Sequence, residues 1–187
     1  MTKFVKRDKT TTVYFVTFTC FKWIALVELA NAYNAFYKWF EYLKTNNIPL
    51  LGYVIMPNHF HCLIYLPADS ETTLNRLVSN AKRFIAYAII QNLEEAKSEN
   101  LLQLLLVHTS EKRKTKGQKH RVFIDSFDAK EVYSQEMLEV KLDYIHRNPC
   151  SGKWNLAENF VQYPHSSASF YELEKQNEYL THYREIW

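Results

Sequence analysis

The spacing of apolar and polar residues changes period several times along the chain, and each change marks an element. Residues 11–21, "TTVYFVTFTCF", are dense in β-branched and aromatic side chains and predict a strand. From 26 to 43, Leu29, Tyr33, Phe36, Tyr37, Phe40 and Leu43 recur every three or four positions, which predicts a helix with one buried stripe. "IPLLGYVIM" and "HFHCLIYL" predict two strands joined by a Pro57-Asn58 turn, hence an antiparallel hairpin. Leu74, Leu77, Val78, Ala81, Phe84, Ile85, Ala88 and Ile89 return to helical spacing. "RVFIDSF" reads as a short fourth strand. A late helix over 135–147 has Ser134 in N-cap position and acidic Glu136 in its first turn, and Pro149 stops it.

The order strand, helix, strand, strand, helix, strand predicts an α+β fold. It is the ferredoxin-like (split βαβ) antiparallel sheet with helices on one face, leaving the other face free to bind. One domain over 1–187 is expected, with 150–187 as a C-terminal extension carrying a final helix.

Strand alternation puts Phe60, Cys62, Ile64 and Leu66 on one face and His59, His61, Leu63 and Tyr65 on the other. The first set is the core side. The two imidazoles are then neighbours at i and i+2, close enough to share a metal ion. Taken alone, such a pair is short, and two separately hydrogen-bonded histidines explain it more economically. A structural zinc site lacks a cysteine partner nearby.

Composition narrows the classes. In 187 residues, hydrophobic residues make up 47% and aromatic ones 16%, so the chain has material for a packed core. With only three glycines, there is no Gly-rich phosphate loop or dinucleotide fingerprint. Three cysteines without CxxC spacing argue against a disulfide framework or zinc ribbon and for reduced thiols in a cytoplasmic protein. The start, "MTKFVKRDKT", is not a signal peptide, and no apolar run is long enough to span a membrane. The charge of +3 and pI of 8.6 permit nucleic acid without requiring it. Its distribution is more telling. Residues 111–121, "EKRKTKGQKHR", carry six cations and one acid: Lys112, Arg113, Lys114, Lys116, Lys119 and Arg121. A charge run of this kind is often only a solvated loop. Arg76, Lys82 and Arg83 lie on the polar side of the second long helix and are further candidates for DNA contact.

Three patches in order change the weight of the histidine pair. "VIMPNHFHCLIYLP" resembles the signature of the HUH single-tyrosine transposases, the family that includes the REP-associated tyrosine transposases. "KLDYIHRNPCSGKW" resembles that family's late-helix Tyr followed by Asn-Pro. "YPHSSASFY" resembles its Tyr-x-x-Ser-Ser segment, with His165 where Trp is common. The likeness runs from about residue 12 to 171. It departs at "NPCSGKWNL", where the family usually continues Asn-Pro-Val and then Gly-Leu-Val.

The resemblance implies His59 and His61 as metal ligands, Asn148 as a third, and Tyr144 as nucleophile. It implies Mg²⁺ or Mn²⁺, although imidazole suits zinc or manganese better than magnesium. It implies cleavage and rejoining of single-stranded DNA, hairpin-bearing or not, by a monomer or homodimer. Independently, helical spacing sets Val140, Tyr144 and Asn148 on one side and Leu138, Leu142 and Ile145 on another. The latter is the better core stripe, so Tyr144 can face outward; His146 is expected to be exposed and incidental. Two other classes remain open: a non-catalytic nucleic-acid-binding module on the same sheet, and a small metal-dependent hydrolase. The hydrolase would want carboxylates, and residues 48–67 hold none.

Overall fold

A computed structural model describes residues 13–109, 115 and 118–186. Four strands form one sheet: β1 (Val13–Thr19), β2 (Leu50–Ile55), β3 (His59–Tyr65) and β4 (Asp128–Val132), in the order β2-β3-β1-β4. All three pairings are antiparallel. This is the split βαβ arrangement, with α2 (Tyr33–Thr45) and α3 (Leu74–Glu95) as the two crossing helices.

Both helices pack on one face, where Phe36, Phe40, Val78, Ala81 and Ile85 meet Val16, Phe18, Phe60, Cys62 and Ile64. A further helix, α4 (Glu99–Val107), which the periodicity does not include, adds Leu105 to this core. The predicted helix over 26–43 is two elements, α1 (Leu26–Leu29) and α2. Asn31 in the left-handed region (φ 47°) breaks it, and Leu29 turns outward.

The second face is not free, which corrects the expectation. It carries its own apolar cluster, in which Val13, Phe15, Leu51, Val54 and Leu63 meet Leu138, Leu142 and Ile145 of α5 (Gln135–Arg147) and Tyr163 and Tyr183 of the tail. Ser134 caps α5 as expected, its Oγ accepting the Met137 N–H at 3.2 Å. Gly52 permits the close approach: a Cβ there would stand 2.5 Å from Leu142 Cδ1.

The tail seals the outer edge of β2. Ser166 bridges Val54, the Ser167 N–H donates to Tyr53 O, and Tyr163 Oη donates to Ile55 O at 2.8 Å. The short helix α6 (Ala168–Glu172) follows.

The fourth strand lies later than the predicted 121–127. That segment runs beside the end of β1 through a Cys20–Phe123 bridge and an Ile124 N–H to Thr19 O bond. β4 itself, "DAKEV", is a polar edge strand with only Val132 buried, so it carries no run of β-formers to find.

Candidate functional site

β3 alternates as its sequence requires. Phe60, Cys62 and Ile64 enter the α2/α3 core, and His59 and His61 point to the α5 side, both buried. Their ring centroids are 4.9 Å apart. α5 crosses above them, and its first residue past the helix, Asn148, meets His59: Nε2 to Oδ1 is 3.1 Å. Three residues predicted from separated motifs therefore meet at one point.

The polar bookkeeping at that point is incomplete in an informative way. Asn58 Nδ2 donates to Trp23 O at 2.9 Å, which fixes its amide and turns Oδ1 to His59 Nδ1 at 2.6 Å. His59 must donate from Nδ1. Burial, with Lys153 adding to it against the pull of Asn148, lowers the His59 pKa to about 4, so the ring is neutral near pH 7. A neutral ring protonated at Nδ1 has a lone pair on Nε2, and Nε2 faces the Asn148 side-chain amide.

His61 repeats the theme. Its Nδ1 pairs with Thr17 Oγ1 at 2.7 Å across the β1–β3 register. Its Nε2 is buried and has no hydrogen-bond partner among the described residues. Burial, then neighbouring His59 and Lys141, lowers its pKa to about 3. A buried polar atom without a partner is costly, and a cation or donor would satisfy it. Cis ligands of an octahedral ion at about 2.1 Å lie about 3 Å apart, which matches the His59–Asn148 separation. The set of two imidazoles and an amide oxygen fits a divalent cation. It is not carboxylate-rich: among the described residues no group of three or more His, Cys, Asp or Glu could hold a metal.

Tyr144 stands one helical turn before Asn148 and is 49% exposed. Its ring meets His61 edge-on at 5.2 Å and Phe15 at 6.0 Å. The other candidate tyrosines differ. Tyr163 is buried with its hydroxyl donated to Ile55 O, Tyr65 packs into the α5-side cluster, and Tyr133 is exposed ahead of the helix.

His146 corrects the sequence reading: it is buried, and Nε2 meets Ser167 Oγ at 3.0 Å. Ser167 Oγ in turn accepts the Tyr53 N–H at 3.0 Å. α5 lies between sheet and tail, so a residue outside the main apolar stripe is still enclosed.

The basic candidates divide. Arg76, Lys82 and Arg83 are on α3, across the sheet from the histidines. Lys82 Nζ donates to the carbonyls of Ile124, Asp125 and Ser126 at 2.7, 3.1 and 3.1 Å, and Arg83 lies over Phe84. Lys119 is exposed, and Arg121 lies 4.6 Å over Phe21 and 3.5 Å from Asp125. Lys112, Arg113, Lys114 and Lys116 lie outside the described residues. Sequence reasoning missed two nearer cations: Lys141 Nζ sits 5.0 Å over Phe15, and Lys153 Nζ 5.1 Å over Trp154, whose ring is 6.4 Å from His59. Neither belongs to a charge run. It also gave no role to Thr17 and Asn58, although Asn58 stands inside the quoted motif.

Among the described residues no helix is long and apolar enough to cross a membrane. No family model matches the chain, and no curated protein matches it. Among solved structures, it is similar to a REP-associated tyrosine transposase bound to a REP hairpin, at 15% identity and a TM-score of 0.58. The match covers 97% of this chain and 94% of that one, so what the two share over nearly their full length is the fold.

Proposed function

We propose that the chain is a tyrosine transposase that cleaves and rejoins single-stranded DNA. The observation that carries this reading is the meeting of four residues from β3 and the C-terminal end of α5: His61 Nε2, unpartnered among the described residues, the His59 contact with the Asn148 amide, and exposed Tyr144 against His61. Residues 83 to 89 positions apart in sequence have no packing reason to bring these groups to one point.

His59, His61 and Asn148 would hold Mg²⁺ or Mn²⁺. When bound, the ion supplies positive charge to phosphodiester oxygens, whose own charge otherwise repels a nucleophile. Tyr144 Oη attacks the phosphorus. As Oη loses its proton to solvent, a bond from the tyrosine oxygen to phosphorus forms, the bond from phosphorus to the 3′ oxygen breaks, and that oxygen takes a proton from solvent and leaves as a hydroxyl. The phosphotyrosine keeps the ester energy, so rejoining to another 3′ end needs no ATP. Asn58 and Thr17 hold the two imidazoles by Nδ1. Lys141 and Lys153 add charge beside the strand path. Lys119 and Arg121 offer further positive charge to its backbone. The likeness to a hairpin-bound transposase supports hairpin-bearing single-stranded DNA as the substrate class.

The test is incubation with labelled single-stranded DNA and Mn²⁺, followed by denaturing electrophoresis. A covalent adduct of protein and DNA is expected. DNA binding with no adduct under any divalent ion would leave a binding module instead.

A further inference from the structure

The turn that ends β1 carries a tryptophan in an unusual posture. Lys22 and Trp23 both occupy the left-handed region, with φ of 52° and 58°. Two consecutive non-glycine residues there are unfavourable, and neither is Asn or Asp. The indole they present is 58% exposed, and it meets His59 edge-on at 5.8 Å.

The turn is tied to the histidine strand. The Trp23 carbonyl accepts from Asn58 Nδ2, while Oδ1 of the same amide accepts from His59 Nδ1. The Cys20 N–H donates to Asn58 O at 2.8 Å, and the Val27 N–H donates to Pro57 O at 3.0 Å. One buried side chain, Asn58, thus fixes both the imidazole and the backbone beneath the indole. Strain of this kind persists only where the surroundings over-determine it. Here it holds a large aromatic face in solvent beside the candidate metal ligands, where hydrophobic burial would favour the opposite. Trp154, the other tryptophan near His59, is packed into the α5-side cluster.

Charge on the same turn is positive. Lys22 Nζ lies 3.0 Å from His108 Nε2, and Arg121 lies over Phe21 of this turn. An aromatic face flanked by cations is the arrangement that holds single-stranded nucleic acid without reading its sequence.

The geometry points to Trp23 as a base-stacking platform: the base next to the phosphate at His59 and His61 lies on the exposed indole face. This rests on the function proposed above and adds a positioning residue to it. Trp23 touches neither reacting atom. It sets where the strand enters and how far the phosphate stands from Tyr144.

The experiment uses the full chain with Tyr144→Phe as parent, so that no cleavage intervenes, and a mixed-sequence single-stranded oligonucleotide as probe. Tryptophan fluorescence and Mn²⁺ calorimetry are read on the parent, Trp23→Phe and Trp23→Ala. DNA should quench the parent's fluorescence. Trp23→Phe should lose most of that quench while keeping affinity within a few-fold. Trp23→Ala should weaken DNA binding about 5- to 150-fold, with Mn²⁺ affinity equal in all three. DNA affinity of Trp23→Ala equal to the parent's overturns the inference. So does a Trp23→Ala variant that loses Mn²⁺ along with DNA, since the turn is then only a scaffold for His59. If wild type forms its adduct while Trp23→Ala binds normally, this inference alone fails. A wild type that neither binds DNA nor forms an adduct takes the parent reading down with it.

Discussion

His59 Nε2 and the Asn148 side-chain amide lie 3.1 Å apart, joining residues 89 positions distant in the chain, and burial keeps the His59 ring neutral near pH 7. The neighbouring His61 Nε2 is buried with no hydrogen-bond partner among the described residues, a costly arrangement that a divalent cation would relieve.

The first prediction follows directly. Wild type should bind one Mn²⁺ by calorimetry, and His61→Ala should abolish it. Asn58→Ala removes no ligand but frees His59 to rotate, so affinity should fall about 10- to 100-fold. Equal binding by wild type and His61→Ala would dismiss a shared site.

Tyr144→Phe should separate chemistry from folding. The hydroxyl is on an exposed ring whose edge contacts with Phe15 and His61 survive the change. Stability should stay within about 0.5 kcal/mol of wild type, while the covalent DNA adduct disappears. An adduct formed at the wild-type rate would move the nucleophile elsewhere. Tyr163 would then be tested first, although its hydroxyl is committed to Ile55 O.

The sequence carried the central motif because period two is rigid. Once residues 59–65 are a strand, His59 and His61 must share a face, and Phe60, Cys62 and Ile64 must share the other. The α5 stripe of Leu138, Leu142 and Ile145 was legible for the same kind of reason. What was not legible came from contacts remote in sequence. His146 is enclosed by the tail, and nothing near it announces Ser167 as its partner. Thr17 meets His61 only through strand register. β4 is a polar edge strand, so its residues lack the composition that marks a buried one.

The basic residues should respond differently to neutralisation. Lys82 holds three carbonyls of the segment before β4, across the sheet from the site. Lys82→Met should destabilise the fold by about 1–3 kcal/mol, read by urea unfolding, and leave the salt dependence of DNA binding unchanged. Lys153→Gln, beside Trp154 and His59, should do the reverse: little change in unfolding, and a salt slope reduced by about 0.7. A reduced slope for Lys82→Met would place DNA on the α3 face instead.

His146 gives a pH prediction for the metal-free protein. Burial lowers its pKa to about 4, and Asp143 opposes the shift. The Tyr171 ring lies tilted against it at 5.6 Å, and Glu139, Glu172, Glu174, His182 and Arg184 line the same pocket. The unfolded chain has an ordinary histidine pKa of about 6.5. Between those values the unfolded state binds more protons than the folded one, so stability falls as pH falls. The contribution is fully present above about pH 6.5, declines through the window, and is gone below about 4. It amounts to roughly 2–4 kcal/mol. His59 and His61 titrate in the same sense, so acid unfolding of wild type in EDTA reports all three together. His146→Gln isolates one: its amide keeps a donor and acceptor for Ser167 Oγ and cannot charge. Urea midpoints of this variant should be less pH-dependent than those of wild type between pH 7 and 4. Parallel curves would mean that His146 is not held neutral by its burial, and that its contact with Ser167 tolerates the imidazolium.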